Sequence, residues 1–337
     1  MDQTERLAAW MADNVQGFAG PLTLRRFSGG QSNPTWAVQT SGADYVLRQK
    51  PMGAVLPSAH AVDREYRVMR ALAGSDVPVP RVHALCEDVG VTGSMFFVMD
   101  LVPGRVLFDP TLAGMSAADR AATFDAMNAA IAAIHAVDPV AVGLADYGRH
   151  GGYVARQVVR WSKQYRASET GVIPAMESLI DWLPQNLPDG EEEVRLAHGD
   201  FRLDNLILHP TEPRVVAVLD WELSTLGCPY ADLAYNVMVW RIAPGLFRGL
   251  AGVDLAGLGI PSENDYVAAW CRRTGRNRPE RFEFYIILSL FRLAAIIQGI
   301  AKRAQDGTAA DQKAAEVERM AAPLADLAWN MARAMAR

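Results

Sequence analysis

Residues 196–235, LAHGDFRLDNLILHPTEPRVVAVLDWELSTLGCPYADLAY, leave this chain few folds to choose from. Residues 215–219 are β-branched and apolar, the composition of a buried strand. Residues 206–208 give a shorter strand, and the two prolines within 209–213 punctuate a turn between them. An antiparallel hairpin of these two strands sets Asn205 beside Asp220, with Asp200 on the loop just before. Two carboxylates and an amide oxygen are then expected at one end of a rigid element.

Such hard oxygen ligands suit Mg²⁺, which takes few protein ligands and completes its shell with water and phosphate oxygens. Phosphoryl transfer needs a metal on the nucleotide phosphates and a carboxylate facing the attacking hydroxyl, with little covalent help from the protein. Asn205 and Asp220 are the expected metal ligands and Asp200 the expected proton acceptor. His198, two residues before Asp200, is expected in the same catalytic loop as its brace.

The order HxDxxxxN followed by an aspartate closing an apolar strand resembles the catalytic and metal loops of protein-kinase-like enzymes. The HGD form, the LDWE ending and the later PYADLAY are similar to the aminoglycoside phosphotransferase and choline kinase family. That resemblance spans nearly the whole chain. It implies an α+β bilobal protein-kinase-like fold, with a small antiparallel β-sheet lobe and a larger, mostly helical lobe. It also implies ATP as co-substrate, Mg²⁺, and a small-molecule hydroxyl acceptor.

The rest of the chain is arranged accordingly. A helix at residues 3–16 precedes strands at 22–27, 35–39 and 45–48, with Gly29, Gly30 and Ser32 in the first turn. Glycine there lets backbone amides approach phosphates, and by resemblance this is the nucleotide-covering loop. Strand alternation puts Val46, Arg48 and Lys50 on one face. The resemblance makes Arg48 the phosphate-gripping cation, with Lys50 as its rival, and Glu65 on the next helix its orienting partner. After strands near 82–87 and 95–100, Asp100-Leu101-Val102-Pro103-Gly104 is the implied hinge. Its Asp100 carbonyl and Val102 amide would pair with adenine, dividing a nucleotide-binding lobe, 1–102, from a helical acceptor-binding lobe, 103–337. Asp232 is expected to brace the catalytic loop. Glu222 is left between touching metal-bound water and capping the strand end.

Composition enters as an exclusion. A formal charge of −5 gives no basic footprint for nucleic acid. Cys86, Cys228 and Cys271 show no CxxC spacing, which fits a reducing cytoplasm. The N-terminus has no signal-peptide pattern, and the apolar run 284–291 falls well short of the roughly 20 residues that span a bilayer. A soluble protein without membrane contact is expected, its oligomeric state left open.

The acceptor is less constrained. From residue 241 to 337 there are 14 Lys/Arg against 10 Asp/Glu, a net of +4, which disfavours a polycationic acceptor. Arg272, Arg273, Arg276 and Arg278 are candidate contacts for an anion. VLRQKPMGAVLPSAHAVDREYRVMRAL and FRLAAIIQGIAKR resemble the kinase-like domain fused to some acyl-CoA dehydrogenases. That implies a hydroxyacyl-CoA or hydroxy-acid acceptor. The alternatives are an aminoglycoside or amino-alcohol phosphotransferase, and a nucleotide-binding pseudokinase regulating a partner; GTP in place of ATP stays open.

Overall fold

The computed structural model describes residues 2–27, 33–52, 61–189, 193–306 and 319–335. The chain divides by internal contacts into two compact units. Residues 1–106, 140–144 and 205–224 form the first; 107–139, 145–204 and 225–337 form the second.

The first unit is built on a five-stranded antiparallel sheet. Its strands are β1 (Leu22–Arg26), β2 (Thr35–Thr40), β3 (Tyr45–Gln49), β4 (Val82–Cys86) and β5 (Phe96–Asp100). They lie in the order β1-β2-β3-β5-β4. The helix α1 (Gln3–Asn14) starts in a capping box, in which the Asp2 carboxylate accepts the Glu5 amide and Glu5 reaches back to the Asp2 amide. Leu7 and Met11, four apart on one face, pack with Val38, Tyr45, Leu47, Phe96 and Val98 into a single cluster. Each fully buried side chain there contributes about 1.5–3 kcal/mol. The alternate residues of β3, Val46 and Arg48, point to the other face, as strand geometry requires. There α2 (Val62–Leu72) packs on β4 and β5, carrying Asp63 and Glu65 in its first turn and Arg70 in its last, each complementing the helix dipole. A four-residue helix, α3 (Val89–Thr92), connects β4 to β5.

The hairpin expected at 206–219 belongs to this unit. β7 (Leu206–Leu208) and β8 (Val215–Val218) pair antiparallel, Leu206 opposite Val218. The hairpin is held to the unit at two places. The Val218 amide donates to the Pro78 carbonyl at 2.8 Å, and Arg105 bridges to Leu208 through both backbone bonds, 2.8 and 2.9 Å. Gly104 permits the second contact: a Cβ there would stand 2.3 Å from both Ile207 Cγ2 and the Leu208 carbonyl.

The second unit is helical. Around α10 (Phe282–Gln305) pack α5 (Tyr153–Ala167), α6 (Pro174–Gln185), α7 (Pro229–Val237) and α11 (Ala321–Met335). Helices α4 (Ala117–Ala136) and α9 (Glu263–Thr274) form a second layer, and α8 (Leu255–Leu258) is one turn. The apolar window of α10 is longer than the run 284–291 suggests. Among the described residues it is the one helix long and apolar enough to cross a membrane, yet 83% of that window is buried within the protein. That is the pattern of a core helix. One small two-stranded sheet joins β6 (Arg195–Ala197) to β9 (Thr225–Gly227), antiparallel.

Candidate active site

The two units carry separate groups of the expected residues. In the first, the hairpin register settles the position of Asn205 and Asp220. The Leu219 amide donates to the Asn205 carbonyl at 2.8 Å, one step beyond the Leu206–Val218 pair. Asn205 and Asp220 therefore stand at the same end of the hairpin. Asp220 has φ of 66°, a left-handed conformation costing a non-glycine residue on the order of 1 kcal/mol and concentrated at functional positions.

Asp220 is reached by Arg48. The Arg48 Nη2 donates to Asp220 Oδ1 at 2.7 Å while its Nε donates to Glu65 Oε2 at 2.6 Å. The guanidinium so joins β3 to α2 and to the end of β8. Burial works against its charge, but the carboxylates of Glu65 and Asp220 more than offset this and hold Arg48 above its ordinary range. Burial raises the Glu65 carboxyl, opposed by Arg48 and by the Trp221 amide that Glu65 accepts. Arg48, not its rival Lys50, meets Glu65. Glu222 accepts from the fully buried Asn33 Nδ2 at 3.3 Å, which ties the turn after Asp220 to the residue preceding β2.

Asp100 closes β5, its carboxylate 2.6 Å from His83 Nε2, and the Leu101 amide donates to Asp44. Val102 follows on the linker to Gly104, and Met99 is buried. Gly29, Gly30 and Ser32 lie outside the described residues.

For a divalent ion the donor set is small. Among the described residues no cluster of three His, Cys, Asp or Glu side chains forms a metal cage. Asn205 and Asp220 supply one amide and one carboxylate, hard oxygens that fit Mg²⁺ when phosphate and water complete its shell.

In the second unit β6 delivers His198-Gly199-Asp200. Asp232, near the start of α7, accepts the His198 amide on Oδ2 and the Gly199 amide on Oδ1, both at 2.8 Å. Gly199 has φ of 81°, which turns the two amides toward one carboxylate and suits glycine. His135 Nε2 lies 3.0 Å from the same Oδ2. The Trp270 indole, which can only donate, gives its N–H to His135 Nδ1 at 3.1 Å, fixing the Nε2–H tautomer. Burial alone would raise the Asp232 carboxyl. The bonds from His135 and the loop amides outweigh it and hold the group below the usual carboxylate range. Asp232 thus acts as the expected brace.

His198 is fully buried and its Nδ1 accepts the Asp200 amide at 3.2 Å. Asp200 pairs with Arg202 Nε at 3.1 Å, and the buried Tyr235 hydroxyl donates to it, which together with burial pushes that phenol up. Arg292, stacked 4.4 Å over the Tyr235 ring, donates to the Gly199 carbonyl. Sequence reasoning passed over Arg202, Tyr235 and Arg292. Arg202 and Tyr235 fall inside the HGDFRLDN and PYADLAY motifs, where a census of donors around Asp200 would have found them.

Three of the four expected acceptor arginines are otherwise engaged. Arg276 forms a two-pronged pair with Glu193 at 2.7 and 2.8 Å, Arg273 bonds Asp125 and Asn128, and Arg278 meets Asn264 and Glu283. They join helices and loops within the second unit, which removes their basis as an anion-binding row.

The model of the family described as "Phosphotransferase enzyme family" matches residues 23–281. Mouse acyl-CoA dehydrogenase family member 10 is 46% identical over 93% of this chain, and chicken acyl-CoA dehydrogenase family member 11 is 42% identical over 94%. The chain spans only 29% and 41% of those relatives' lengths. A crystal structure of a candidate aminoglycoside phosphotransferase from Ralstonia eutropha is 53% identical, covers 98% of both chains and superposes with a TM-score of 0.91. The macrolide 2'-phosphotransferase of Brachybacterium faecium, covering 96% of this chain and 98% of its own, is 20% identical with a TM-score of 0.59, a likeness of fold alone.

Proposed function

Because this chain belongs to the phosphotransferase enzyme family and has its kinase-like fold, we propose that it moves the γ-phosphoryl group of ATP to a hydroxyl of a small anionic molecule. In this reading the acceptor is a hydroxyacyl-CoA or a hydroxy acid. The nucleotide-binding lobe is residues 1–102 and the acceptor lobe 103–337, in a reducing, cytoplasmic setting. The observation that carries the reading is the Arg48 guanidinium bonded to both Glu65 and Asp220, with Asn205 at the same hairpin end.

Each residue has a role in an in-line displacement. Arg48, oriented by Glu65, grips the nucleotide phosphates. Asn205 and Asp220 hold Mg²⁺, which when bound neutralises charge on the phosphates. Asp200 takes the proton of the acceptor hydroxyl as its oxygen bonds to the γ-phosphorus and the bond to the departing ADP oxygen breaks. Tyr235 and Arg202 fix the orientation of that carboxylate, and His198 and Asp232 fix its backbone. The Asp100 carbonyl and Val102 amide take the adenine edge.

Asp200→Ala is the test. Transfer from labelled ATP should fall about 10²- to 10⁴-fold while Mg·ATP affinity holds. Unchanged transfer removes Asp200 from its role.

A second reading, an aminoglycoside or amino-alcohol acceptor, draws on the structural neighbours that are aminoglycoside phosphotransferases. The net positive charge of residues 241–337 weighs against a polycation there. A pseudokinase is disfavoured because a binding scaffold needs no proton acceptor at Asp200.

A further inference from the structure

The second unit holds a line of alternating charge that starts at Asp200. Arg202 pairs with Asp200 at 3.1 Å and with Asp204 at 3.5 Å, and Asp204 pairs in turn with Arg248. The line ends on a cation, and that cation has unusual surroundings. The Arg248 guanidinium lies 5.5 Å over the Phe108 ring and 5.9 Å over the Phe247 ring. Phe108 is 60% exposed, a large apolar ring held in water. Arg248 itself has φ of 39°, a backbone state that L side chains rarely adopt and that persists where the surrounding structure enforces it.

We propose that Arg248 and Phe108 form the acceptor's recognition subsite: Arg248 takes the anionic group and Phe108 the apolar chain that carries it. The inference rests on the phosphotransferase reading and deepens it by naming the residues that select the acceptor. Four observations converge. The Arg248 side chain is 37% exposed although it pairs with Asp204, so it is not sealed inside the unit. Two aromatic rings lie within 6 Å of its guanidinium carbon, and such a planar fork suits a carboxylate or phosphate. An exposed phenyl ring beside a cation matches a ligand that is charged at one point and apolar next to it. The pairs through Arg202 and Asp204 connect this anchor to the carboxylate that receives the hydroxyl proton. Arg202 is engaged with Asp200 itself, so Arg248 is the member of the line placed to discriminate without disturbing the base.

The anion has two chemical sources, a free carboxylate or the phosphates of a CoA thioester. Equilibrium titration in the presence of Mg·ADP would use β-hydroxyoctanoate, its methyl ester and β-hydroxyoctanoyl-CoA. The proteins compared are the wild type, Arg248→Gln and Arg248→Lys. Loss of a charged hydrogen-bond donor should weaken the anionic probe about 10- to 100-fold in Arg248→Gln, with part of the loss restored by Arg248→Lys. Affinities for the methyl ester and for Mg·ADP should not change. A fall for the free acid assigns the carboxylate to Arg248; a fall confined to the thioester assigns the CoA phosphates. An unchanged set, or an equal fall for acid, ester and thioester, overturns the proposal, because a residue that merely pins its loop to Asp204 cannot tell the probes apart.

Labelled-ATP turnover is measured alongside. Normal transfer to both the free acid and the thioester by Arg248→Gln would sink the subsite and leave the phosphotransferase reading standing. Arg248-dependent binding without any transfer by the wild type would do the reverse.

Discussion

Arg48 sets the terms of the first unit's chemistry at the scale of single residues. Its guanidinium is 12% exposed and its partner Glu65 only 2%, so removing it strands a carboxylate out of water. Arg48→Met should cost about 3–5 kcal/mol of stability, the usual penalty for breaking a buried pair, measurable by urea unfolding. Burial already raises the Glu65 carboxyl, and without Arg48 that effect is less opposed. An acid whose folded value lies above its unfolded one destabilises the protein when ionised, so the variant should regain stability as pH falls and Glu65 takes up a proton. Asp232 has the opposite sign. Its depressed value contributes stability that is complete above the unfolded carboxylate range, near pH ~4, and is lost as pH falls through the folded value. Asp232→Asn should therefore flatten acid unfolding followed by circular dichroism. It should also lower turnover more than nucleotide affinity, since it loosens the His198 and Gly199 amides and leaves Arg48 untouched.

At the scale of elements, the Gly104 approach to β7 yields a stability prediction. Gly104→Ala puts a Cβ within 2.3 Å of a backbone oxygen and a branched side chain. It should destabilise by about 1–3 kcal/mol, as overpacking does, whereas Gly171→Ala, with nothing within 4 Å, should be near neutral in the same thermal melt. Elements also mark how far the sequence could be read. The hairpin at 206–218 was legible because its strands are apolar, adjacent and separated by a proline-bearing turn. Strand β9, Thr225–Gly227, was not, since three residues without alternation become a strand only by pairing with β6 thirty positions earlier. Three of the candidate anion contacts, Arg273, Arg276 and Arg278, turn out to be engaged within the second unit, which the sequence hides for a related reason. A sequence displays a cation but not the carboxylate that answers it, and Glu193 lies 83 positions from Arg276. The bracing role of His135 is hidden in the same way, its partners Asp232 and Trp270 being 97 and 135 residues distant.

For the whole molecule, the acceptor is the quantity to determine. The curated relatives carry this chain's counterpart as a minor part of a longer protein, so their full activities do not transfer to it. A screen of hydroxyacyl-CoA esters, free hydroxy acids, aminoglycosides and amino alcohols with labelled ATP should give the highest kcat/KM for an anionic acceptor. Raising ionic strength should lower that preference, because an exposed guanidinium attracts its ligand through a screened field. A best acceptor that is polycationic would overturn the proposed substrate class.

The Arg48 bridge has one more consequence. Asp220 already has a counter-ion on Oδ1, so a divalent cation competes for its charge with a guanidinium that Glu65 also holds. Nucleotide phosphates that engage Arg48 ease that competition, and the free energies of loading metal and nucleotide are then linked. Magnesium titrated alone by calorimetry should bind weakly, and its apparent affinity should rise when ADP is added. By reciprocity, the nucleotide should tighten by the same factor when magnesium is supplied.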